Sequence, residues 1–250
     1  MAKSRRLLIL GGTAEATALA ARCSEFPGLE VITSFAGRTS QPEMPEGSVR
    51  IGGFGGIEAL AAYLEAARID MIVDATHPFA ARISRHAAEA AAMARRPLLM
   101  LVREPWQPTD GDRWIDVDDT RHAAVVLGDL GKRVFLTIGR QGLDAFAGMP
   151  CTWFLVRLIE RPSAGVPLAQ FEVVTGRGPF TVEAERSLMV QHRIESLVSK
   201  NSGGGSTYAK IAAARGLAIP VVMIRRPVLP PAEQVDQVDA AFDWVMRRFP

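Results

Sequence analysis

Short, continuously apolar runs alternate with longer alanine-rich amphipathic stretches along most of the chain. Runs of the first kind predict strands that are buried on both faces, and stretches of the second kind predict helices. The predicted strands are Leu7–Leu10, Val31–Phe35, Val49–Ile51, Met71–Asp74, Leu98–Val102, Trp114–Val117, Val134–Ile138, Phe154–Leu158, Phe171–Val174, Ser196–Ser199 and Pro220–Ile224. The predicted helices are Glu15–Cys23, Ile57–Arg68, Ala80–Arg95, Thr120–Leu130, Val182–His192, Thr207–Arg215 and Glu233–Arg248. This order predicts an α/β fold with mainly parallel sheets.

A proline-containing segment, Glu104–Asp112, interrupts the alternation and is typical of a linker. The chain of 250 residues is long enough for two small domains. We therefore expect two Rossmann-like lobes, an N-terminal cofactor-binding lobe of residues 1–110 and a C-terminal lobe of residues 111–250. Small ligands usually bind in clefts between domains, so an interdomain cleft is expected to hold the substrate.

Composition narrows the class of protein. The formal net charge of +2 argues against a general nucleic-acid binder, and no apolar stretch approaches the length of a membrane span. Two distant cysteines, Cys23 and Cys151, and the short apolar run after the basic start favour a cytoplasmic protein without a secretory signal. The chain contains no Cys-x-x-Cys or His-x-x-x-His spacing and no Gly-x-Ser-x-Gly elbow, so metal binding and serine hydrolysis lack support.

The first predicted strand runs into Gly11, Gly12 and Thr13, and a helix follows. Glycines allow close approach of a ligand, and free N–H groups at the helix start favour phosphate, so the turn is a candidate dinucleotide site that includes Glu15. Thr13 can cap the helix and can also donate to a phosphate oxygen. The match to Gly-x-Gly-x-x-Gly is incomplete, and glycines that serve only the shape of the turn remain the alternative.

The second predicted strand leads to Arg38 and Thr39 rather than to a carboxylate. An NAD-preferring site commonly has Asp or Glu here for the ribose 2′-hydroxyl, whereas arginine accommodates a 2′-phosphate. Arg38 and Thr39 therefore favour NADPH over NADH, with an ordinary exposed arginine as the alternative.

A polar turn follows the strand that ends at Asp74, and it contains Ala75, Thr76 and His77. Ligands bind at the carboxyl ends of strands in open α/β sheets, so these residues are candidates for the cofactor site. His77 can act as a general acid because the intrinsic pKa of imidazole is close to neutrality. The alternative is that these side chains only fix the turn and cap the next helix.

A second glycine-rich turn follows the strand that ends near Ser199. Its candidate ligand-binding residues are Lys200, Asn201, Ser202, Gly203 and Gly204. Lysine before the glycines does not fit a Walker A loop, which disfavours a kinase or ATPase. A flexible surface loop is the structural alternative.

Six segments together carry a resemblance to a known family. They are GGTAEA, SFAGRT, DATHPFA, GRQGLDAF, SKNSGG and IPVVMIRRP, in an order that spans nearly the whole chain. The chain resembles the precorrin-6A reductases of cobalamin biosynthesis. The resemblance implies two Rossmann-like domains, with NADPH held mainly by the N-terminal one and a hydride transferred to one double bond of the macrocycle, giving precorrin-6B. A related branch acts on cobalt-precorrin-6A, with NADH reported as donor.

This implied substrate carries many carboxylates, so its site should be basic and need not contain a metal. Lys200 is the first candidate for that site, and Arg140 is a candidate together with other basic residues. Solvated surface charges are the alternative for each of them. Further candidates are Arg177, Arg193, Arg225 and Arg226, with Phe54, Phe79 and Phe180 as ring contacts. The ring also gains a proton, for which His77, Tyr208 and bound water are candidate donors. The conjugated ring is already a good electron acceptor, so the chemistry does not require an essential acid.

Three other functions remain open at this point. They are a different NADP-dependent reductase, a regulator that senses NADP(H) without turnover, and a sugar-nucleotide transferase, because a fold does not determine a function. The sequence also leaves the oligomeric state open, a monomer included.

Overall fold

The computed structural model describes residues 4–37, 45–162 and 165–249. The chain forms two compact units. The first unit comprises Met1–Glu104 together with Pro227–Pro250, and the second unit is Pro105–Arg226. The expected division into residues 1–110 and 111–250 therefore differs from the structure, mainly because the chain end returns to the first unit. Among the described residues, no helix has both the length and the apolar character needed to cross a membrane.

The first unit is a six-stranded sheet in which every pairing is parallel. Its strands are β1 (Arg5–Leu10), β2 (Leu29–Phe35), β3 (Ser48–Ile51), β4 (Met71–Asp74), β5 (Leu98–Leu101) and β12 (Glu233–Val235). Its helices are α1 (Ala14–Ser24), α2 (Ile57–Ala66), α3 (Ala81–Met93) and α7 (Val238–Arg247). The strand order is β12-β5-β4-β1-β2-β3. The apolar parts of the central strands β1, β4 and β5 are buried because helices cover both faces of the sheet.

The second unit is also a six-stranded parallel sheet. Its strands are β6 (Trp114–Val117), β7 (Arg133–Leu136), β8 (Trp153–Leu158), β9 (Gln170–Thr175), β10 (Ser196–Lys200) and β11 (Val221–Ile224). Its helices are α4 (Thr120–Val126), α5 (Val182–Gln191) and α6 (Ala209–Gly216), with short 3₁₀ turns at Leu127–Asp129 and Leu143–Phe146. The strand order is β6-β11-β10-β7-β8-β9.

The two sheets have the same arrangement once the strands are counted from β1 and from β7. In the first sheet β1 lies between β2 and β4, and in the second sheet β7 lies between β8 and β10. The edge strand β12 lies beside β5, and the corresponding edge strand β6 lies beside β11. These two edge strands, β12 and β6, each follow a point at which the chain passes from one unit to the other. The order of strands reverses between β1 and β4 and between β7 and β10, and ligands of open α/β sheets bind at such switch points.

The expected α/β fold with parallel sheets is confirmed, and each predicted strand overlaps an observed one. The predicted helix Glu233–Arg248 was wrong at its start, where Glu233–Val235 forms β12 and pairs with β5. This strand is too short to show alternation in the sequence, and only its pairing with Leu99–Leu101 makes it a strand.

The two cysteines lie in different environments, which predicts a selective thiol reaction. Cys23 lies on the buried face of α1, and this burial raises the pKa of its thiol to about 12, although the nearby Arg22 lowers the pKa in part. Cys151 is exposed. We expect an aromatic disulfide reagent at pH 8 to modify Cys151 rapidly and Cys23 only after unfolding, because the thiolate is the reactive form. Rapid reaction of both thiols in the folded protein would contradict this assignment, and Cys151→Ser serves as the control.

Candidate functional site

The switch point of the first unit brings two predicted turns together. The turn after β1 and the turn after β4 lie at adjacent strand ends, since Leu10 is paired in register with Asp74. Thr13 joins the turns, because its hydroxyl donates to the Ala75 carbonyl oxygen at 2.7 Å and accepts from the Ala16 N–H at 3.2 Å. The predicted helix cap is therefore confirmed. The Thr13 hydroxyl donates its proton to Ala75 in this structure, and its donation to a phosphate stays a prediction.

The two glycines of the first turn are needed for different reasons. A Cβ on Gly11 would lie 2.9 Å from Thr33 Cγ2, which is too close, so Gly11 is required by packing. Gly12 has φ of +115°, a conformation that side chains rarely adopt, and a Cβ there would meet no atom within 4 Å. The turn therefore presents the capped N-terminal end of α1 with open space beside Gly12, which fits the pyrophosphate of a dinucleotide.

Asp74 and Thr76 hold the second turn in shape. Asp74 is buried, and its Oδ1 accepts from the Thr76 N–H at 3.0 Å and from the Thr76 hydroxyl at 2.7 Å. These bonds correspond to the structural alternative considered for this motif. The Ala75 backbone is also engaged, since its N–H donates to the Leu10 carbonyl oxygen at 3.0 Å and its carbonyl oxygen accepts from Thr13. The side chain of His77 is therefore the part of the turn best placed to meet a ligand.

The environment of His77 determines which of its nitrogens can deliver a proton. The Phe79 N–H donates to His77 Nδ1 at 3.2 Å, and the two rings lie 5.8 Å apart. A nitrogen that accepts a hydrogen bond carries no proton, so the neutral imidazole is protonated at Nε2. Any proton transfer from the neutral ring would therefore start at Nε2.

A charged pair that the sequence did not indicate lies near the carboxyl ends of the strands in the first sheet. Arg103 Nη1 donates to Glu15 Oε2 at 2.8 Å, and both side chains are partly buried. A shallow crevice at the switch point is lined by Thr13, Glu15, Thr76, Pro78, Leu101 and Arg103. The position of Arg103 just after β5 could have indicated this pairing, because the carboxyl ends of all parallel strands lie on the same side of a sheet. The pairing neutralises Glu15, whose carboxylate would otherwise oppose a bound phosphate.

Arg38 and Thr39, the predicted 2′-phosphate ligands, lie outside the described residues. The end of β2 that precedes them, Ser34 and Phe35, lies at the same edge of the sheet as the two turns.

The switch point of the second unit contains the turn after β10. The side chain of Asn201 is paired with the backbone of Trp106, since Oδ1 accepts from the Trp106 N–H at 2.8 Å and Nδ2 donates to the Trp106 carbonyl oxygen at 2.9 Å. The Trp106 indole N–H donates to the Gly204 carbonyl oxygen at 2.7 Å. Asn201, predicted to bind substrate, therefore positions the turn by binding the segment that the sequence identified as a linker.

Arg226 supports the same turn from the other side. Its guanidinium donates to the carbonyl oxygens of Asn201 at 2.9 Å and of Ser202 at 3.0 Å. Gly203 and Gly204 both have φ of +69°, which the sharp turn requires. The turn is thus held by several hydrogen bonds, and a freely flexible loop, the alternative from the sequence, does not describe it. Lys200 is half-buried at its start, and Arg140 is exposed beyond the end of the adjacent β7.

Tyr208 has a structural environment. Its hydroxyl accepts from Arg215 Nη2 at 2.7 Å, and its ring lies 5.8 Å from the Trp106 ring. Arg215 is in turn paired with Asp112 at 3.1 Å. These contacts make Tyr208 part of the support for the turn.

The remaining basic candidates do not form one cluster. Arg193 lies before the amino end of β10, at the opposite edge of the sheet from the turn. Arg225 is paired with Asp116 at 3.7 Å and with Asp118 at 3.1 Å. Arg225 and Arg226 have partners within the protein, and the collective role of the basic candidates in substrate binding stays a prediction.

Two parallel sheets with glycine turns at their switch points define an α/β protein of the Rossmann type. The sequence model of the precorrin-6x reductase family, CbiJ/CobK, matches residues 6–246. The chain belongs to this family, and it is therefore an enzyme of the reductase class.

Individual relatives agree with this assignment. The chain is 54% identical to a precorrin-6A reductase of Rhodococcus erythropolis over 96% of this chain and 97% of that protein. It is 30% identical to a cobalt-precorrin-6A reductase of Priestia megaterium, over 88% of this chain and 90% of the relative. A solved structure of CobK precorrin-6A reductase is 39% identical, with a TM-score of 0.92 over 98% of this chain and 97% of that one.

Proposed function

We propose that this protein reduces precorrin-6A to precorrin-6B with NADPH in cobalamin biosynthesis. The observation that carries the proposal is the 54% identity to a precorrin-6A reductase over nearly the full length of both chains. The cobalt-precorrin-6A reductase of the anaerobic route is the second candidate, and the lower identity of 30% to such a relative makes it the weaker one.

The first unit supplies the features that a dinucleotide needs. The pyrophosphate is proposed to lie beside Gly12 at the start of α1, where backbone N–H groups and the helix dipole favour an anion. Gly11, Thr13 and Glu15 shape this part of the site, and the Asp74–His77 turn forms its neighbouring wall. When bound, NADPH supplies the hydride, while the protein orients the reacting partners and excludes competing reactions.

The macrocycle also takes up a proton in this reaction. His77 Nε2 is the proposed source, since Nδ1 already accepts from the Phe79 N–H. An extended conjugated ring accepts the hydride readily, so His77→Asn is expected to slow turnover without abolishing it.

The second unit is proposed to bind the carboxylates of the substrate. Lys200 begins the supported turn, and Arg140 follows the adjacent strand at the same edge of the sheet. Ser202, Gly203 and Gly204 give this turn its shape, and Asn201 anchors it.

We expect Lys200→Ala to raise the Michaelis constant for precorrin-6A by about tenfold, because one charge-assisted hydrogen bond is lost. The affinity for NADPH should not change, and steady-state kinetics together with calorimetric titration measure the two quantities. Arg225→Ala is a matched control, because it removes a positive charge that follows the neighbouring strand β11 and is paired with Asp116 and Asp118. Equal effects of the two variants would exclude a specific role for Lys200.

Arg38→Ala is expected to weaken NADPH binding by roughly tenfold or more while leaving NADH binding within about twofold, since only NADPH carries the 2′-phosphate. Dissociation constants for both dinucleotides from fluorescence titration measure the effect. Equal weakening of both would remove Arg38 from the 2′-phosphate site.

The proposed reaction is tested by incubating the protein with precorrin-6A and NADPH while following absorbance at 340 nm and product mass. We expect consumption of NADPH and a product heavier by two hydrogens. Parallel reactions with NADH and with cobalt-precorrin-6A separate the two branches of the family. Tight NADPH binding without turnover of either substrate would instead favour a sensor of NADP(H), and a nucleotide sugar that binds more tightly than NADPH would favour a transferase.

A further inference from the structure

An arginine on β3 lies beside the end of β2, where the adenosine half of a dinucleotide is expected. Arg50 is paired in register with Ser34, and Arg50 Nη1 donates to Ser34 Oγ at 3.4 Å. In a sheet whose first strand leads into the phosphate-binding turn, the end of the second strand meets the ribose that carries the 2′-substituent. Arg50 therefore occupies the part of the fold that distinguishes NADP from NAD.

The guanidinium of Arg50 is held in place from several directions. It donates to the Gly52 carbonyl oxygen at 2.5 Å and to the Gly53 carbonyl oxygen at 2.9 Å. The guanidinium carbon lies 3.8 Å from the centroid of the Phe54 ring and 5.3 Å from that of Tyr63. A planar cation that is already fixed by stacking and hydrogen bonds loses little conformational entropy when an anion binds.

The charge of Arg50 has no acidic partner within the described part of the chain. Its acceptors there are two carbonyl oxygens and one hydroxyl, and none of them is a carboxylate. A half-buried cation gains most from an anion at short range, because its desolvation is otherwise only partly compensated. Ser34 Oγ accepts from Arg50, so the hydroxyl proton of Ser34 can be donated to the same anion.

We propose that Arg50 is a specificity-determining residue that binds the 2′-phosphate of NADPH together with the Ser34 hydroxyl. The proposal rests on the proposed use of NADPH and adds a ligand on β3 that the sequence did not indicate. No pattern in the sequence indicates this role for Arg50, because its partner Ser34 lies on a different strand and meets it only through the pairing of β2 with β3.

The test compares two small probes, 2′,5′-ADP and 5′-AMP, which differ only in the 2′-phosphate. Calorimetry with the full chain should show that the unaltered protein prefers 2′,5′-ADP. Arg50→Met should weaken the binding of 2′,5′-ADP by roughly tenfold to a hundredfold, because a charge-assisted hydrogen bond is lost. It should weaken the binding of 5′-AMP by less than about twofold. The affinity of Arg50→Lys for 2′,5′-ADP should lie between those of the unaltered protein and Arg50→Met, since lysine keeps the charge but not the planar geometry.

Two further variants separate binding from general effects. Arg85→Met removes an exposed positive charge from α3 of the same unit and should leave both affinities unchanged. Ser34→Ala removes only the hydroxyl, and it should weaken the binding of 2′,5′-ADP by a few-fold without changing that of 5′-AMP. Ser34→Ala thus keeps the question answerable even where Arg50→Met fails to fold.

The outcomes are distinct. An unaltered protein that prefers 2′,5′-ADP, with Arg50 and Ser34 variants that keep this preference, would overturn the role of Arg50 and leave the proposed NADPH dependence intact. Equal weakening of both probes would show that Arg50 only supports the Gly52–Phe54 segment, which also overturns the proposal. An unaltered protein without any preference for 2′,5′-ADP would overturn the proposed NADPH dependence together with this inference.

Discussion

Replacing Glu185 with alanine is expected to lower the free energy of unfolding by about 3–5 kcal/mol, because it leaves a largely buried cation, Arg157, without its anion. Glu185 is 1% exposed, and Arg157 Nη1 donates to its Oε1. The Arg157 guanidinium is enclosed by Phe180 at 4.1 Å and Phe135 at 4.9 Å, so water cannot readily replace the lost carboxylate.

Chemical denaturation followed by circular dichroism measures this effect. Glu183→Ala is the matched control, because it removes an exposed carboxylate from the first turn of the same helix and should cost less than about 1 kcal/mol. The double variant Arg157→Met/Glu185→Leu should recover much of the loss, since an apolar pair needs no charge compensation. A Glu185→Ala variant no less stable than Glu183→Ala would show that the pair contributes little.

The second large effect is expected for Trp244→Ala, which should cost about 3–5 kcal/mol in stability through the cavity that it leaves. Trp244 on α7 is fully buried in the core that also contains Leu7 of β1 and Leu19 of α1. Its indole N–H donates to Glu233 Oε2 at 2.6 Å, which ties α7 to the start of β12. The last part of the chain is therefore required by the first unit.

Thermal unfolding in the absence and presence of NADPH measures this second effect. Trp244→Phe should retain most of the stability, because a large ring still fills the core. Asp243→Ala, an exposed neighbour on the same helix, should change stability by no more than about 0.5 kcal/mol. Similar stability of Trp244→Ala and Asp243→Ala would mean that α7 contributes little to the first unit.

Parts of the candidate site followed from local sequence. Gly11 and Gly12 indicated a close turn, and the structure requires glycine there, for packing at Gly11 and for a positive φ at Gly12. Thr13 was expected to cap α1, and it does. Its second bond, to Ala75, was not predictable, because that partner lies 62 positions further along the chain.

Asn201 and Trp106 show the same limit in the second unit. The sequence marked Asn201 as a ligand-binding residue and the segment that contains Trp106 as a linker. The Asn201 side chain binds the Trp106 backbone across 95 positions, so Asn201 supports the turn. Arg103 and Arg50 were missed for a related reason, since their positions at the edge of the sheet depend on strand pairing.

The sequence by itself determined the class of fold, the two glycine turns, the polar turn at Asp74–His77 and the family, because these depend on short-range periodicity and contiguous motifs. The tertiary structure alone decided that β12 belongs to the first sheet, that Thr13 bonds to Ala75 and Asn201 to Trp106, and that Arg50 meets Ser34. The physical reason is that a hydrogen bond or an ion pair depends on distance in space, and residues far apart in the chain come within that distance only after the sheets have formed.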